Sequence, residues 1–420
     1  MVAPMRLLVV TQYFWPENFR INDLVSELVR RGHQVTVLTG VPNYPDGHVF
    51  PEFISDVSRF TSYKGASVHR VPMLPRGKGG LRLLLNYLSF AVSASTLGVF
   101  KLRTQQYDAI IAYEPSPITV GLPAVALRFT KNVPLLFWVQ DLWPETLQAV
   151  GAVRSPLVLS LVGKLVSFIY KRCDVILTQS KSFIPQILKY APSKSRVLFF
   201  PNWSDKVVTS DELTPAPEVP SAPNCFSVMF AGNIGDAQDF PVILAAAQCL
   251  KSHAIRWLIV GDGRMASWVA EEIKNCGLQD QVLMLGRFPS ERMPSFFHHA
   301  DALLVSLKDE PIFAMTIPSK LQTYLSAGIP VVAMLNGEGA DVVRESGSGV
   351  TCRAGDYEGL ANTVLKLSQT PQQERQEMGS KGRELSQREF DRDTLISRLE
   401  GWIDELCNGG TKPNEKRSRS

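Results

Sequence analysis

Lys320 stands in Ile317-Pro-Ser-Lys320, ahead of a helical pattern that Gly328 stops and Pro330 follows. Pro318 suits the first turn of a helix, so Ser319 and Lys320 fall where free N–H groups and the helix dipole favour an anion. A diphosphate held there would meet those donors and an ammonium. A carboxylate follows in Gly337-Glu-Gly-Ala340, carried by Glu338. Three further words lie where an apolar run gives way to a helical pattern. Phe230-Ala-Gly-Asn-Ile-Gly-Asp-Ala-Gln-Asp239 contains Gly232, Asn233, Gly235 and Gln238, and Ile259-Val-Gly-Asp-Gly-Arg264 contains Gly261, Asp262, Gly263 and Arg264. The third, Leu285-Gly-Arg-Phe288, contains Gly286 and Arg287. Glycines let a backbone approach a phosphate closely, and a helix N-terminus supplies donors to it. The first word alone favours a phosphate only slightly over an ordinary turn, and the other two read equally well as a turn.

The first half offers carboxylates. Val139-Gln-Asp-Leu-Trp-Pro-Glu145 places Asp141 and Glu145 at a strand end, where they can orient hydroxyls; an N-cap is the rival reading of Asp141. Glu17, Asn18 and Arg20, and Tyr44 in Pro42-Asn-Tyr-Pro-Asp-Gly47, are candidates for a second ligand, or plain loop and capping chemistry. His298 and His299 are adjacent and so cannot converge on a metal from a helix. The six cysteines contain no Cys-x-x-Cys pair, which argues against zinc or a disulfide framework and suits a reducing compartment.

Periodicity supplies the elements that must position these residues. Arg6–Thr11, a helix from Ile21 to Arg31 stopped by Gly32, and Val35–Thr39 form a βαβ unit and predict a parallel, doubly wound sheet. Further strands are predicted at Val68–Val71, Ala109–Ala112, Leu135–Val139, Val175–Thr178 and Val197–Phe200. Four prolines between Ser204 and Asn224 have linker composition. A second alternation follows, with strands at Phe226–Phe230, Arg256–Val260, Val282–Leu285, Ala302–Ser306 and Val331–Met334. The predicted organisation is a first Rossmann-like domain over 1–205, a linker over 206–224 and a second such domain over 225–382. One helix over 383–407 returns to the first domain, and a disordered basic tail covers 408–420. Ligands of such sheets bind beyond the carboxyl ends of the strands, where all these words lie. The chain has 420 residues, 45% hydrophobic and 20% charged, with a net charge of +4 that does not argue for nucleic acid. Met5 to Thr11 runs straight into a globular pattern, which does not read as a signal peptide.

In order and spacing, these words resemble the family 4 glycosyltransferases, particularly the branch that builds bacterial surface polysaccharides and includes N-acetyl-L-fucosamine transferases. The resemblance runs from Met5 to about Leu406. It implies a GT-B fold, two Rossmann-like domains facing a central cleft, and transfer with retention of configuration. The implied donor is a nucleoside-diphosphate sugar, UDP-linked and carrying an N-acetylamino sugar, bound mostly by the second domain. The first domain would take a lipid-linked or glycan acceptor. No metal or other cofactor is implied, because basic groups and helix dipoles neutralise the leaving diphosphate.

Five positions depart from the family pattern. Asn233 and Gln238 replace an Arg and a Lys, Met315 and Thr323 replace a pair of glutamates, and Gln140 replaces a His. Lys320, backed by Arg264 and Arg287, is then the best cation for the diphosphate, and Glu338 the best carboxylate for a ribose. A non-catalytic scaffold subunit or a GT-B epimerase are the rival readings. Leu83 to Phe100 and Leu157 to Tyr170 are apolar stretches flanked by Arg76, Lys78, Arg82, Lys101, Arg103, Lys171 and Arg172, with Lys164 inside the second. The first is predicted to be a core or interfacial helix, not a span. With the resemblance, the pattern predicts peripheral attachment to an anionic surface at the inner face of the plasma membrane.

Overall fold

The computed structural model describes residues 3–77, 79–149, 153–204 and 214–408. Lys78, residues 206–213 of the predicted linker and the basic tail beyond Asn408 lie outside the described residues. Two compact units emerge: one made of Met1–Phe200 with Leu395–Ser420, the other of Pro201–Thr394.

The first unit holds an eight-stranded sheet. Its strands are β1 (Arg6–Val10), β2 (Gln34–Gly40), β3 (Ser62–Tyr63), β4 (Ala66–Val71), β5 (Ala109–Glu114), β6 (Leu135–Val139), β7 (Val175–Thr178) and β8 (Arg196–Phe199). They lie in the order β3-β4-β2-β1-β5-β6-β7-β8, parallel except for β3 against β4. Such strands carry helices on both faces and so read as unbroken apolar runs: every residue of Leu135-Leu-Phe-Trp-Val139 is buried. Trp138 fills the centre and donates its indole N–H to the Phe200 carbonyl at 3.1 Å.

The second unit holds β9 (Phe226–Ala231), β10 (Ile255–Val260), β11 (Val282–Gly286), β12 (Ala302–Ser306), β13 (Val331–Met334) and β14 (Gly349–Cys352). These form a parallel sheet in the order β11-β10-β9-β12-β13-β14. One core cluster gathers Phe230, Phe240, Trp257 and Leu304 with the helices Phe240–Cys249 and Tyr357–Gln369. In both sheets the winding reverses once, between β1 and β5 and between β9 and β12. The loops leaving such a pair of strands diverge and open a crevice at their carboxyl ends.

The single helix predicted over 383–407 is two helices, Gln372–Glu389 and Arg392–Asn408. Phe390, 2% exposed, turns inward at the break. The second helix packs on the first unit, where Glu400 meets Arg31 and the buried His33, each at 2.8 Å. Arg196 pairs with Glu405 at 2.7 Å, and Trp402 stacks edge-on against Phe200.

The Leu83–Phe100 stretch lies in a helical segment, Gly80–Lys101, long and apolar enough to cross a membrane, with a π-helical turn at Ala94–Gly98. Asn86, Tyr87, Phe90, Ala91, Ala94 and Gly98 face the protein. Leu81, Leu84, Leu85, Leu88 and Val92 form an exposed stripe at helical spacing, so the segment is not a fully buried core helix.

Candidate donor and acceptor sites

In the second unit the glycine words lie side by side. Gly232 donates its N–H to Val260, Gly261 to Gly286 and Ile234 to Asp262, so the turns after β9, β10 and β11 form one ledge. Gly232 and Gly261 have φ of +135° and +147°, a region open mainly to glycine. The fit is tight: a Cβ on Gly261 would stand 1.9 Å from the Gly232 carbonyl oxygen.

Lys320 reaches this ledge from the first turn of the helix Ser319–Ala327. A Cβ on Gly232 would lie 2.4 Å from Lys320 Cε and 2.8 Å from Nζ. Nζ sits 3.7 Å from the centre of the Phe230 ring and has no hydrogen-bond partner among the described residues. The residue as a whole is half-buried, but its ammonium is shielded from solvent, and this burial lowers its pKa to about 7. A buried cation without a counter-ion is costly to hold, and an anion would relieve it. Tyr324 fixes the ledge from the same helix, its hydroxyl accepting from Ala231 N at 2.9 Å and donating to Ala231 O at 3.0 Å.

The other donor candidates divide. The Asn233 amide lies across the turn, so that a Cβ on Gly235 or Gly263 would strike it at 2.5 or 2.7 Å. Gln238 turns back to accept the Gly235 N–H at 3.0 Å; its side chain shapes the loop and is not extended toward a ligand. Asp262 similarly caps Gly263 N at 2.7 Å. Arg264, Arg287, Gly286 and Ser319 are exposed. Glu338 is buried in the first turn of the helix Glu338–Ser346. Its flanking glycines pack on the segment leading into Ser319: a Cβ on Gly337 would meet the Ala314 oxygen at 2.0 Å, and one on Gly339 would meet Pro318 Cδ at 3.2 Å. Lys308, not singled out by its sequence, sits at the β9/β12 reversal; its N–H donates to Ala237 O at 2.9 Å and its ammonium pairs with Asp236 at 2.7 Å.

In the first unit, Glu17 is a clasp and not an exposed ligand group. It is 3% exposed and accepts the N–H groups of Phe14, Asn43 and Tyr44 at 3.0, 2.8 and 2.8 Å, tying the loop after β1 to the loop after β2. Burial outweighs those three bonds and lifts its pKa to about 7. Tyr44 packs against Tyr13, Phe19 and the Arg76 guanidinium, Asn18 is exposed, and Arg20 lies close enough to Tyr113 to act on it electrostatically. Beside them Gln12 Nε2 donates to Asn86 Oδ1 at 2.8 Å.

Asp141 and Glu145 follow β6. Asp141 accepts from Thr146 Oγ1 at 2.5 Å. Burial raises its pKa, against the opposing hydrogen bonds of Thr146, Ser116 and Trp143. Glu145 accepts from the Tyr190 hydroxyl at 3.3 Å and lines a pocket of about 440 Å³ with Gln148, Ser160, Lys164 and Tyr190. His299 bonds the Ala216 carbonyl at 2.9 Å, and no cluster of metal-ligating side chains occurs among the described residues.

Comparison with known proteins agrees with this geometry. Residues 18–203 match the family described as glycosyl transferase 4-like domain, and residues 218–385 match glycosyl transferases group 1. The Escherichia coli (strain K12) protein WcaI, provisionally named as a glycosyl transferase of colanic acid biosynthesis, is 26% identical over 77% of this chain and 82% of its own. Anabaena HepE, solved with UDP, superposes with a TM-score of 0.68 at 15% identity over 96% of this chain and all of its own. A glycosyltransferase from Rickettsia africae ESF-5 gives 0.69 at 14% identity over 97% of this chain and 99% of its own. With the two matches taking in most of the sequence and the fold that of the GT-B enzymes, the chain belongs to the glycosyltransferases, a 4-like domain followed by a group 1 domain.

Proposed function

We propose that this glycosyltransferase moves an N-acetylamino sugar from UDP, with retention, onto a lipid-linked or glycan acceptor in the assembly of a surface polysaccharide. The observation that carries the donor reading is the Lys320 ammonium, buried beside the Gly232 turn with only an aromatic face against it. A diphosphate laid along the ledge would meet that ammonium and the N-terminal N–H groups of the helix Ser319–Ala327. As the sugar leaves, charge grows on the diphosphate, and a fixed cation in a dry site stabilises it without reorganisation. Glu338 takes the ribose hydroxyls, and Asp141 orients the acceptor hydroxyl. HepE, solved in complex with UDP, and WcaI, named for colanic acid biosynthesis, support the donor and the pathway class.

Attachment to an anionic membrane surface belongs to the same proposal. The exposed stripe from Leu81 to Val92 and the outer face of the helix Pro156–Tyr170, with Leu157, Val158, Leu161 and Phe168, carry Arg82, Lys101, Lys164 and Arg172 at their margins. Apolar residues that enter the headgroup region beside basic ones that meet anionic lipid suit a peripheral enzyme of the cytoplasmic leaflet.

A thermal-unfolding panel of nucleoside diphosphates and their sugars tests the donor reading. A ligand at a hundred times its dissociation constant stabilises the fold by about 2.7 kcal/mol. A shift with uridine compounds alone supports UDP; a shift with another base corrects it; no shift with any defeats the donor reading.

A further inference from the structure

Glu114 ends β5, a strand otherwise composed of Ala109-Ile-Ile-Ala-Tyr113, and it is 0% exposed. Neither carboxylate oxygen has a hydrogen-bond partner among the described residues. The main-chain N–H groups of Asp141 and Gln140 lie near enough to ease a negative charge, without closing a bond on either oxygen. An ionised carboxylate so placed would give up its hydration for little replacement, whereas a single proton removes the difficulty.

Asp141 belongs to the neighbouring strand end. Glu114 pairs with Val139 across the β5–β6 ladder, and Gln140 N donates to the Glu114 main-chain oxygen at 3.0 Å. Asp141 thus follows Val139 by two residues at the carboxyl end of the sheet, diagonal to Glu114 and near enough for its charge to disfavour a second charge there. Their surroundings differ in donors. Thr146 Oγ1 reaches Asp141 at 2.5 Å, and Ser116, Trp143 and the Leu142 N–H also favour its anion. The other titratable groups facing the pair are the phenols of Tyr87, Tyr113 and Tyr170 and the carboxylate of Glu145, with Arg20 and Arg76 acting on the phenols.

We infer that Glu114 is the acid half of a two-carboxyl, one-proton pair, and that it holds the proton so that Asp141 meets a sugar hydroxyl as an anion. The inference rests on Asp141 serving the acceptor and makes Glu114 a positioning residue acting through it. Were Glu114 to ionise, two negative charges would share one dry edge, and Asp141 would take up the proton instead.

Infrared spectra of the full chain with carbon-13 in the glutamate carboxyls read the proton directly. They are recorded about two pH units above the value of about 7 for Glu17, so that Glu17 contributes only about 1% acid. A labelled carboxylic-acid band is expected, absent from Glu114→Gln and shifted in Asp141→Asn; a spectrum with no such band overturns the inference. Should Glu114→Gln fail to fold, the Asp141→Asn shift decides alone, and a band that does not move overturns it. In kinetics at saturating donor, where Lys320 is already paired, the native turnover is expected to fall at alkaline pH as Glu114 ionises, and Glu114→Gln to keep about tenfold more turnover than Glu114→Ala and to lack that fall. A pH profile that superimposes on the native one defeats the inference. Undiminished turnover in Asp141→Asn would defeat the acceptor reading alone, since the infrared band still locates the proton.

Discussion

Replacing Lys320 with methionine is expected to stabilise the protein and to cripple donor binding. Burial takes the ammonium from its ordinary 10.5 to about 7. At about 1.36 kcal/mol per pH unit, that gap sets an upper bound of roughly 5 kcal/mol on the cost of keeping Lys320 charged in the fold. The Phe230 face, 3.7 Å away, is already a partner to the charge, and part of the methionine's benefit is lost to imperfect packing. A net gain of about 1–3 kcal/mol remains, within the range seen when buried charges give way to apolar groups. The sign follows from linkage. Because the folded-state pKa lies below the unfolded one, the folded protein binds fewer protons between pH 7 and 10.5, and native stability rises with pH across that window. The advantage of methionine is therefore fullest below pH 7 and fades toward 10.5. Donor binding runs the other way: UDP should bind the native enzyme up to about tenfold more weakly per pH unit above 7, since the diphosphate meets the ammonium form. Urea and thermal unfolding at acid and alkaline pH, with and without UDP, measure both effects. A Lys320→Met protein that loses stability at pH below 7, or that binds UDP like the native one, refutes the reasoning.

Three further outcomes can be checked independently. Gly232→Ala is expected to cost about tenfold or more in turnover, because its Cβ would fall 2.4 Å from Lys320 Cε and must displace that side chain, and to lower the melting temperature, because φ there is +135°; steady-state rates taken well below the melting transition decide it. Glu338→Gln is expected to weaken UDP affinity more than it lowers kcat, since a ribose contact is made in both ground and transition states, and calorimetry with UDP separates the two. Reversing the charges of Arg82, Lys164 and Arg172 should reduce co-sedimentation with anionic vesicles, and salt should release the native protein, as attraction decays over about 8 Å at physiological ionic strength. Retention through both high salt and carbonate would mean that Gly80–Lys101 spans the bilayer.

Central strands were the most legible feature of the sequence. The bounds of β6, β7, β12 and β13 coincide with the apolar runs Leu135–Val139, Val175–Thr178, Ala302–Ser306 and Val331–Met334, because a parallel strand covered on both faces tolerates few polar residues. The edge strands β3 and β14 escaped the pattern: Ser62-Tyr63 is two residues long, and Gly349-Val-Thr-Cys352 is only half-buried. The break at Phe390 escaped for another reason. The helix Gln372–Glu389 docks through glycines, Gly379 approaching the Gly328 oxygen so closely that a Cβ would stand 2.0 Å from it, and such a contact leaves no apolar stripe to read. Within the site, the nearness of Lys320 to Gly232 needed two distant words to meet, and only their order hinted at it. Glu114 carried a readable signal, a charge closing an apolar strand, but its pairing with Asp141 depends on strand register, which periodicity does not contain.

The return of the last helix to the first unit has a consequence for biosynthesis. The sheet of that unit is complete in sequence at Phe199, yet His33 and Arg196 meet the carboxylates of Glu400 and Glu405, and Arg31, already paired with Glu27, gains Glu400 as a second partner, through the helix Arg392–Asn408. On the ribosome, the first unit therefore waits for the carboxylates that meet its buried His33 and its Arg31 and Arg196 until nearly two hundred intervening residues have been made. A chain cut before Leu395 would leave the second unit entire and damage the first, so a truncation late in the chain acts as a lesion in the unit built from its early residues.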